Sequence, residues 1–195
     1  MSGGLFLVPD LNPFEIIHPV LQVVTKDLNT FLKGRLGHTE DIVILSELLN
    51  QDGSIAITGE NKIITTLLNI EQDRTYINTP TGKQALTNPP INLNLLVLFS
   101  AYYTPTNYVE ALKALSLAIG FFQGKQVFTP ANTPGLGPGF SKITAELTNV
   151  DMKELSNFWT AVGAKHLPCV LYKLRMISIS SGMILEEYTD IRGTN

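Results

Sequence analysis

Glu71, Gln72, Asp73 and Arg74 form the densest charged stretch of the sequence, and Lys173 and Arg175 stand two residues apart in an alternating run. Charges of this kind can do two things. They can close a solvated strand end by pairing with one another, or they can offer an ion-pairing patch to another subunit. Lys173 and Arg175, two apart on a strand, share a face and fit either use. No carboxylate pair has a catalytic pattern, and no Gly-x-Ser-x-Gly elbow is present. Gly135, Gly137 and Gly139 bring a phosphate-binding loop to mind. They lack the closing Gly-Lys-Ser/Thr, and Pro134 and Pro138 interrupt them, so they read as an ordinary loop. His18, His38 and His166 are far apart, without a second ligand at metal spacing. Cys169, the single cysteine, opens an apolar run, where a free cysteine is normally a small buried hydrophobe. Phe158 and Trp159 read as helix-to-core packing. The residues therefore imply no catalytic group, metal or cofactor.

The elements that must position these side chains follow from periodicity. Phe14, Ile17, Val20, Leu21, Val24, Leu28, Phe31, Leu32 and Leu36 recur at spacings of three and four, predicting a helix that starts near Pro19 and ends at Gly34 or Gly37. Residues 42–49 predict a strand, Gln51-Asp52-Gly53 a turn, and 54–58 a short alternating edge strand. The run 62–71 fits a strand or a helix by pattern alone, and its Ile and Thr content favours a strand. Residues 75–90, with Pro80, Gly82, Pro89 and Pro90, predict a loop. Residues 93–103 are nearly all apolar, as a central strand covered on both faces would be. A second helix runs from Tyr108 through Phe122 to Gly124, and 129–140 read as a loop or an assembly-ordered segment. A short strand covers 142–147. Asp151 and Glu154 open a third helix as a capping pair, with Gly163 at its end. Residues 169–180 alternate cleanly, and 183–191 predict a terminal strand. Three helices and five or six strands, with no repeat, give an α/β (α+β) fold with a mixed sheet. Residues 1–12 lack periodicity and read as a flexible arm ahead of one domain, 13–195.

Composition narrows the class further. The chain has 195 residues, 44% hydrophobic, but only 16% charged, with a net charge of −3. An average soluble domain has about 25% charged residues. A chain of this size can bury roughly 70% of its unfolded surface, enough for a core without disulfides. The acidic balance argues against nucleic acid as a partner, and the apolar content argues against disorder. No Lys or Arg precedes Lys26, so the basic start of a signal peptide is missing. No run approaches the roughly 18 apolar residues of a membrane span. The expectation is synthesis in a reducing cytoplasm, with release by lysis left open. Few charges on an apolar chain fit either a large core or surfaces covered by partners.

An ordered series of motifs adds a resemblance. It runs from Leu68-Asn69-Ile70-Glu71-Gln72-Asp73-Arg74-Thr75 through Pro89-Pro90-Ile91-Asn92-Leu93-Asn94-Leu95 and Phe99-Ser100-Ala101-Tyr102. Tyr108-Val109-Glu110-Ala111-Leu112-Lys113, Phe121-Phe122-Gln123, Glu146-Leu147, Trp159, Gly163-Ala164-Lys165 and Tyr172-Lys173-Leu174-Arg175-Met176 follow. The series covers about residues 14–191. It resembles the N-terminal domain of cap, or tail-terminator, proteins of phage-tail-like contractile injection systems, such as the Photorhabdus virulence cassette and antifeeding-prophage particles. The resemblance implies a structural part rather than an enzyme. Six copies would form a ring that ends inner-tube and sheath polymerisation at the distal end and ties sheath to tube. Its partners would be a second copy, the inner tube protein and the sheath protein, with no membrane insertion. Expected interface positions are Glu71, Asp73, Arg74, Lys173 and Arg175, Leu136 and Phe140 on the 129–140 loop, and Leu185 and Tyr188 on the terminal strand. Alternatives are a baseplate or tube-initiator adaptor of such a particle, and a small ligand-binding α/β domain.

Overall fold

The computed structural model describes residues 16–73, 91–137, 140 and 142–179, the side chains of 176–179 excepted. Helix α1 (Ile17–Leu36) carries Pro19 in its first turn, where the missing N–H costs no helical bond. Gly37 ends it at φ 69°, donating its N–H to the Lys33 carbonyl at 2.9 Å. Asn29, on the helix, accepts from the Ile42 and Val43 N–H groups at 2.9 and 3.0 Å, which docks the next segment against α1.

That segment is β1 (Val43–Leu45), which runs parallel to β2 (Lys62–Gln72). The strand expected over 42–49 is thus short. After the Ser46 N–H bond to Thr65 the chain leaves the sheet, and Leu48 turns inward, 4% exposed. The edge strand expected over 54–58 is reduced to one antiparallel bridge, Leu49 to Ile55. The expected turn is present: Gly53 takes φ 79°, and the Asp52 carboxylate accepts from the Ser54 N–H at 2.9 Å.

β3 (Ile91–Tyr102) lies in the middle of the sheet, antiparallel to β2 and to β6 (Cys169–Ile179). Between β3 and β6 in sequence come α2 (Tyr108–Gly124), β4 (Val127–Phe128), β5 (Ile143–Thr148) and α3 (Met152–Val162). The six strands order as β1-β2-β3-β6-β5-β4, with β1–β2 the single parallel pair, so the described residues form a mixed sheet in an α+β fold. β4, only two residues long, is invisible to periodicity. The loop at 75–90, the strand at 183–191 and the arm at 1–12 lie outside the described residues.

β3 shows why an unbroken apolar run means a central strand. Leu95, Val97, Phe99 and Ala101 alternate into the cluster under α1 and α2. Leu98, with Leu96 and Tyr102 beside it, faces a second cluster with Ile64, Leu48, Leu171 and Trp159 of α3. Each face is covered, so both are mostly apolar. Two register shifts, at Leu67/Asn69 and Leu93/Leu95, leave β2 and β3 irregular toward one end of the sheet.

The loop at 129–140 has no helix or strand among its described residues but is closed by turns. Thr133 and Asn132 donate to Thr129 O, Leu136 to Thr133 O and Phe140 to Gly137 O. Thr133, Leu136 and Phe140 are buried. The Lys125 ammonium reaches Asp27 at 2.6 Å and the Asn132 carbonyl at 2.9 Å, tying α1, the end of α2 and this loop together.

Helix α3 begins as the Asp151/Glu154 spacing predicts. The Asp151 carboxylate accepts from the Glu154 N–H at 2.7 Å, and Gly163 closes the helix at φ 75°. A short helix with one large buried anchor, Trp159, depends on such a cap. Asp151→Ala is expected to cost about 1 kcal/mol of stability in urea titrations, and Asp151→Ser to recover most of it.

Candidate assembly surfaces

Four of the charged residues singled out by sequence converge on one face of the sheet. β2 brings Glu71, Asp73 follows directly after its end, and β6 brings Lys173 and Arg175. The strand between them, β3, places Asn94 opposite Glu71. Lys173 pairs with Glu71 at 2.9 Å across β3. Arg175 reaches Asp73 at 3.5 Å and Glu146 of β5 at 3.2 Å. The result is a ladder of ion pairs across four strands, on the same side as the α3 cluster.

The ladder is graded in exposure. Asp73 has a 3% exposed side chain, whereas Arg175 is 32% and Glu146 48% exposed. Asp73 also donates its N–H to the Asn92 carbonyl at 2.8 Å, which fixes it at the strand end. Hydrogen bonding to Glu146, then the Glu146 charge, holds the Arg175 guanidinium above its ordinary pKa, with Asp73 adding to the effect. The Asn94 Oδ1 is buried beside them without a hydrogen-bond partner among the described residues.

Glu146 is the ladder member that sequence reasoning left out of its interface set. The signal was available in principle: it stands opposite Lys173 in the β5–β6 register. Assigning that register requires knowing that β5 and β6 are neighbours, which charge spacing alone does not give. Arg74, Leu185 and Tyr188 lie outside the described residues. Leu136 and Phe140 are 5% and 7% exposed and belong to the core under α1, which leaves them little side-chain surface for a partner.

Chemically, the ladder positions strands and presents alternating charge. Its carboxylates Glu71, Asp73 and Glu146 each contact a cation, an arrangement of ion pairs rather than of an acid beside a base. Among the described residues no three His, Cys, Asp or Glu side chains gather at metal-binding distance. Burial pushes the Cys169 thiol above its ordinary pKa, the opposite of an activated nucleophile. His166 sits edge-on to Trp159 at 5.6 Å, a packing contact.

A second surface is apolar. Tyr108, Val109, Leu112 and Ile119 of α2 are 54%, 62%, 42% and 38% exposed. Ala111, Ala114, Leu115, Ala118 and Phe122 turn into the core. The exposed four extend this apolar stripe to one side, beyond what the core covers, and such surplus apolar surface on a helix is suited to cover by another element. Among the described residues no helix is long and apolar enough to cross a membrane.

Two solved structures share this fold. One is described as the sheath/tube terminator, in the extended state, of PVC, an extracellular contractile injection system. It matches at a TM-score of 0.59 and 13% identity over 92% of this chain and 61% of that one. The other is described as the anti-feeding prophage cap, the AFP tube terminating cap. It matches at 0.53 and 16% identity over 88% of this chain and 59% of that one. This chain thus spans about three-fifths of each. No curated protein matches by sequence. A family model matches residues 20–190, which span all three helices and all six strands but the first few residues of α1, and the chain belongs to the Pvc16 N-terminal domain family.

Proposed function

We propose that this chain is a structural cap of a contractile injection particle. Six copies form a ring on the last layer of the inner tube, end the growth of tube and sheath, and hold the two together. The observation that carries this reading is the family match over residues 20–190, on a fold shared with two tube terminators. The physical features agree with it. A ring closes through a heterologous contact, one patch on each copy meeting a different patch on the next, so it stops at a fixed number instead of growing into a filament. Such a subunit needs several covered surfaces, and interface cores are depleted in charge. The 16% charged content and the exposed apolar side of α2 are the composition and surface expected of it. Its partners in this reading are its own copies, the inner tube protein and the sheath protein. It is made in the cytoplasm and becomes a component of the assembled particle.

The test is the length of the tube. In cells that make the particle, removal of this chain is expected to give tubes and sheaths of broad, unlimited length in negative-stain images, with normal length restored by re-expression. Unchanged lengths without the chain would overturn the reading. Labelled chain found at the baseplate end would overturn it in favour of an initiator adaptor.

A further inference from the structure

The short hairpin after β1 leaves a groove that no described segment fills. It has a volume of about 500 Å³ and lies between the hairpin, the end of β3 and the turn after α3. That is within the range of about 300–1,000 Å³ typical of ligand pockets. Leu48, Leu49, Ile55, Ile57, Tyr102 and Leu167 line it, and its two charged residues, Glu60 and Lys165, are exposed. Ile55, opposite Leu49, is 54% exposed there.

The groove also has an open backbone edge. The Asn50 N–H donates to Ser54 O at 2.8 Å and the Ala56 N–H to Leu48 O at 3.3 Å. Leu49 and Ile55 therefore oppose each other as a non-hydrogen-bonded pair whose own backbone groups point outward, where the Ile55 carbonyl accepts from the Asn50 side-chain amide at 3.4 Å. Among the described residues the Ile55 and Ile57 N–H groups donate to nothing. An apolar floor beside two N–H groups free to donate is the arrangement that accepts an extended peptide by strand addition.

The sequence holds a segment of that chemistry. Leu5, Phe6, Leu7 and Val8 are consecutive, apolar and uncharged, and the first charge is Asp10. Reach decides whose segment it is. Leu36, at the far end of α1, shares a cleft with Tyr103, and Tyr103 also lines the groove. The 20 residues of α1 put the start of the helix about 30 Å from that end. Val8 lies only eight residues before Ile16, a straight-line reach of at most about 29 Å. The path is not straight, because α1 packs on one face of the sheet and the groove belongs to the other.

We propose that the groove receives Leu5, Phe6, Leu7 and Val8 from a second copy of this chain, as an added strand along Ile55 and Ile57. The contact is heterologous: the arm of each copy fills the groove of the next. It deepens the ring reading above by naming what joins neighbours, and it rests on that reading for its place in the particle.

The test uses the full chain in a Cys169→Ser background, which removes the native thiol. One chain carries Gly4→Cys, beside the arm. A second carries Lys165→Cys, at the groove. Mixed and treated with a flexible bis-maleimide, they are expected to give a cross-linked pair at least about tenfold above a Lys153→Cys control on the exposed side of α3, because a docked arm raises its local concentration. Phe6→Asp on the first chain is expected to abolish the excess. No excess over the control overturns the proposal. So does a doubly substituted chain that links only within itself, or an excess that survives Phe6→Asp. An excess from a Met183→Cys chain in place of the Gly4→Cys chain would give the groove to the other apolar segment and also overturn it. The two readings fail separately. Absent cross-links with tube length still limited remove the arm contact alone, and unchanged tube length without the chain removes the ring reading whatever the cross-links show.

Discussion

Phe122→Ala is expected to lower the unfolding free energy by about 3–5 kcal/mol. Phe122 is 1% exposed and is the hub of an aromatic cluster. Its ring lies 4.2 Å from Tyr172, 5.1 Å from Phe99 and from Phe121, and 6.4 Å from Phe128, centroid to centroid. These partners come from β6, β3, α2 and β4, so one side chain joins helix α2 to both central strands and to the last edge of the sheet. Collapse into the vacated space is hindered on every side. β3 and β6 are held by their ladder, and α2 is pinned at its end by Lys125 bound to Asp27. The cavity therefore stays, and its cost adds to the lost transfer free energy. Against a total stability of about 5–15 kcal/mol for a typical domain, the variant is expected to unfold at a much lower urea concentration with an unchanged slope. Phe122→Leu, which keeps most of the volume, is expected to lose far less. A loss below about 1 kcal/mol for Phe122→Ala would mean that the cluster repacks freely.

The elements that hold Phe122 were legible in the sequence because each carries a complete local signal. α2 shows an apolar stripe ended by Gly124, β3 shows an unbroken apolar run, and β6 shows strict alternation. Pro19 near the start of α1 and the Asp151/Glu154 pair at the start of α3 mark those helices as clearly. The failures share a different cause. β1 stops at Leu45 because Leu48 is wanted in the core beneath the hairpin, a tertiary demand that the β-branched run 42–49 does not encode. Residues 54–58 alternate like a strand, but Asp52 and Gly53 set a turn whose partner segment is too short for a ladder. The 129–140 loop reads as polar and glycine-rich. Its function in the fold rests on Leu136 and Phe140, two apolar residues that have no period to betray them. The ladder was half legible: Glu71, Asp73, Lys173 and Arg175 stood out by charge, but their meeting required the strand order β2-β3-β6, and Glu146 required the β5–β6 register as well.

That ladder yields the second large expected effect, and its two rungs should behave differently. Arg175→Glu leaves the buried Asp73 and the half-exposed Glu146 facing a third carboxylate. Loss of a cation hydrogen-bonded to a buried carboxylate costs about 3–5 kcal/mol when the pair is fully buried. Arg175 retains 32% exposure, and solvent screens part of the loss. The expected destabilisation is about 2–3 kcal/mol, read as a lower urea midpoint. Arg175→Met keeps the stem and adds no charge, so it should fall between wild type and Arg175→Glu. Adding Glu146→Lys to Arg175→Glu should recover part of the loss, the Asp73 contact remaining unrepaired. Lys173→Glu is the contrast. Lys173 and its partner Glu71 are 28% and 39% exposed, so this rung should cost within about 1 kcal/mol. The variant is expected to stay folded while presenting two negative charges where the surface had an ion pair. In particles, that makes it the cleaner probe of a partner surface. A folded Lys173→Glu chain that no longer limits tube length would assign the outer rung to a contact with tube, sheath or a neighbouring copy. Normal lengths would confine the ladder to clamping β2, β3, β6 and β5, with Asp73 and Arg175 as its inner lock.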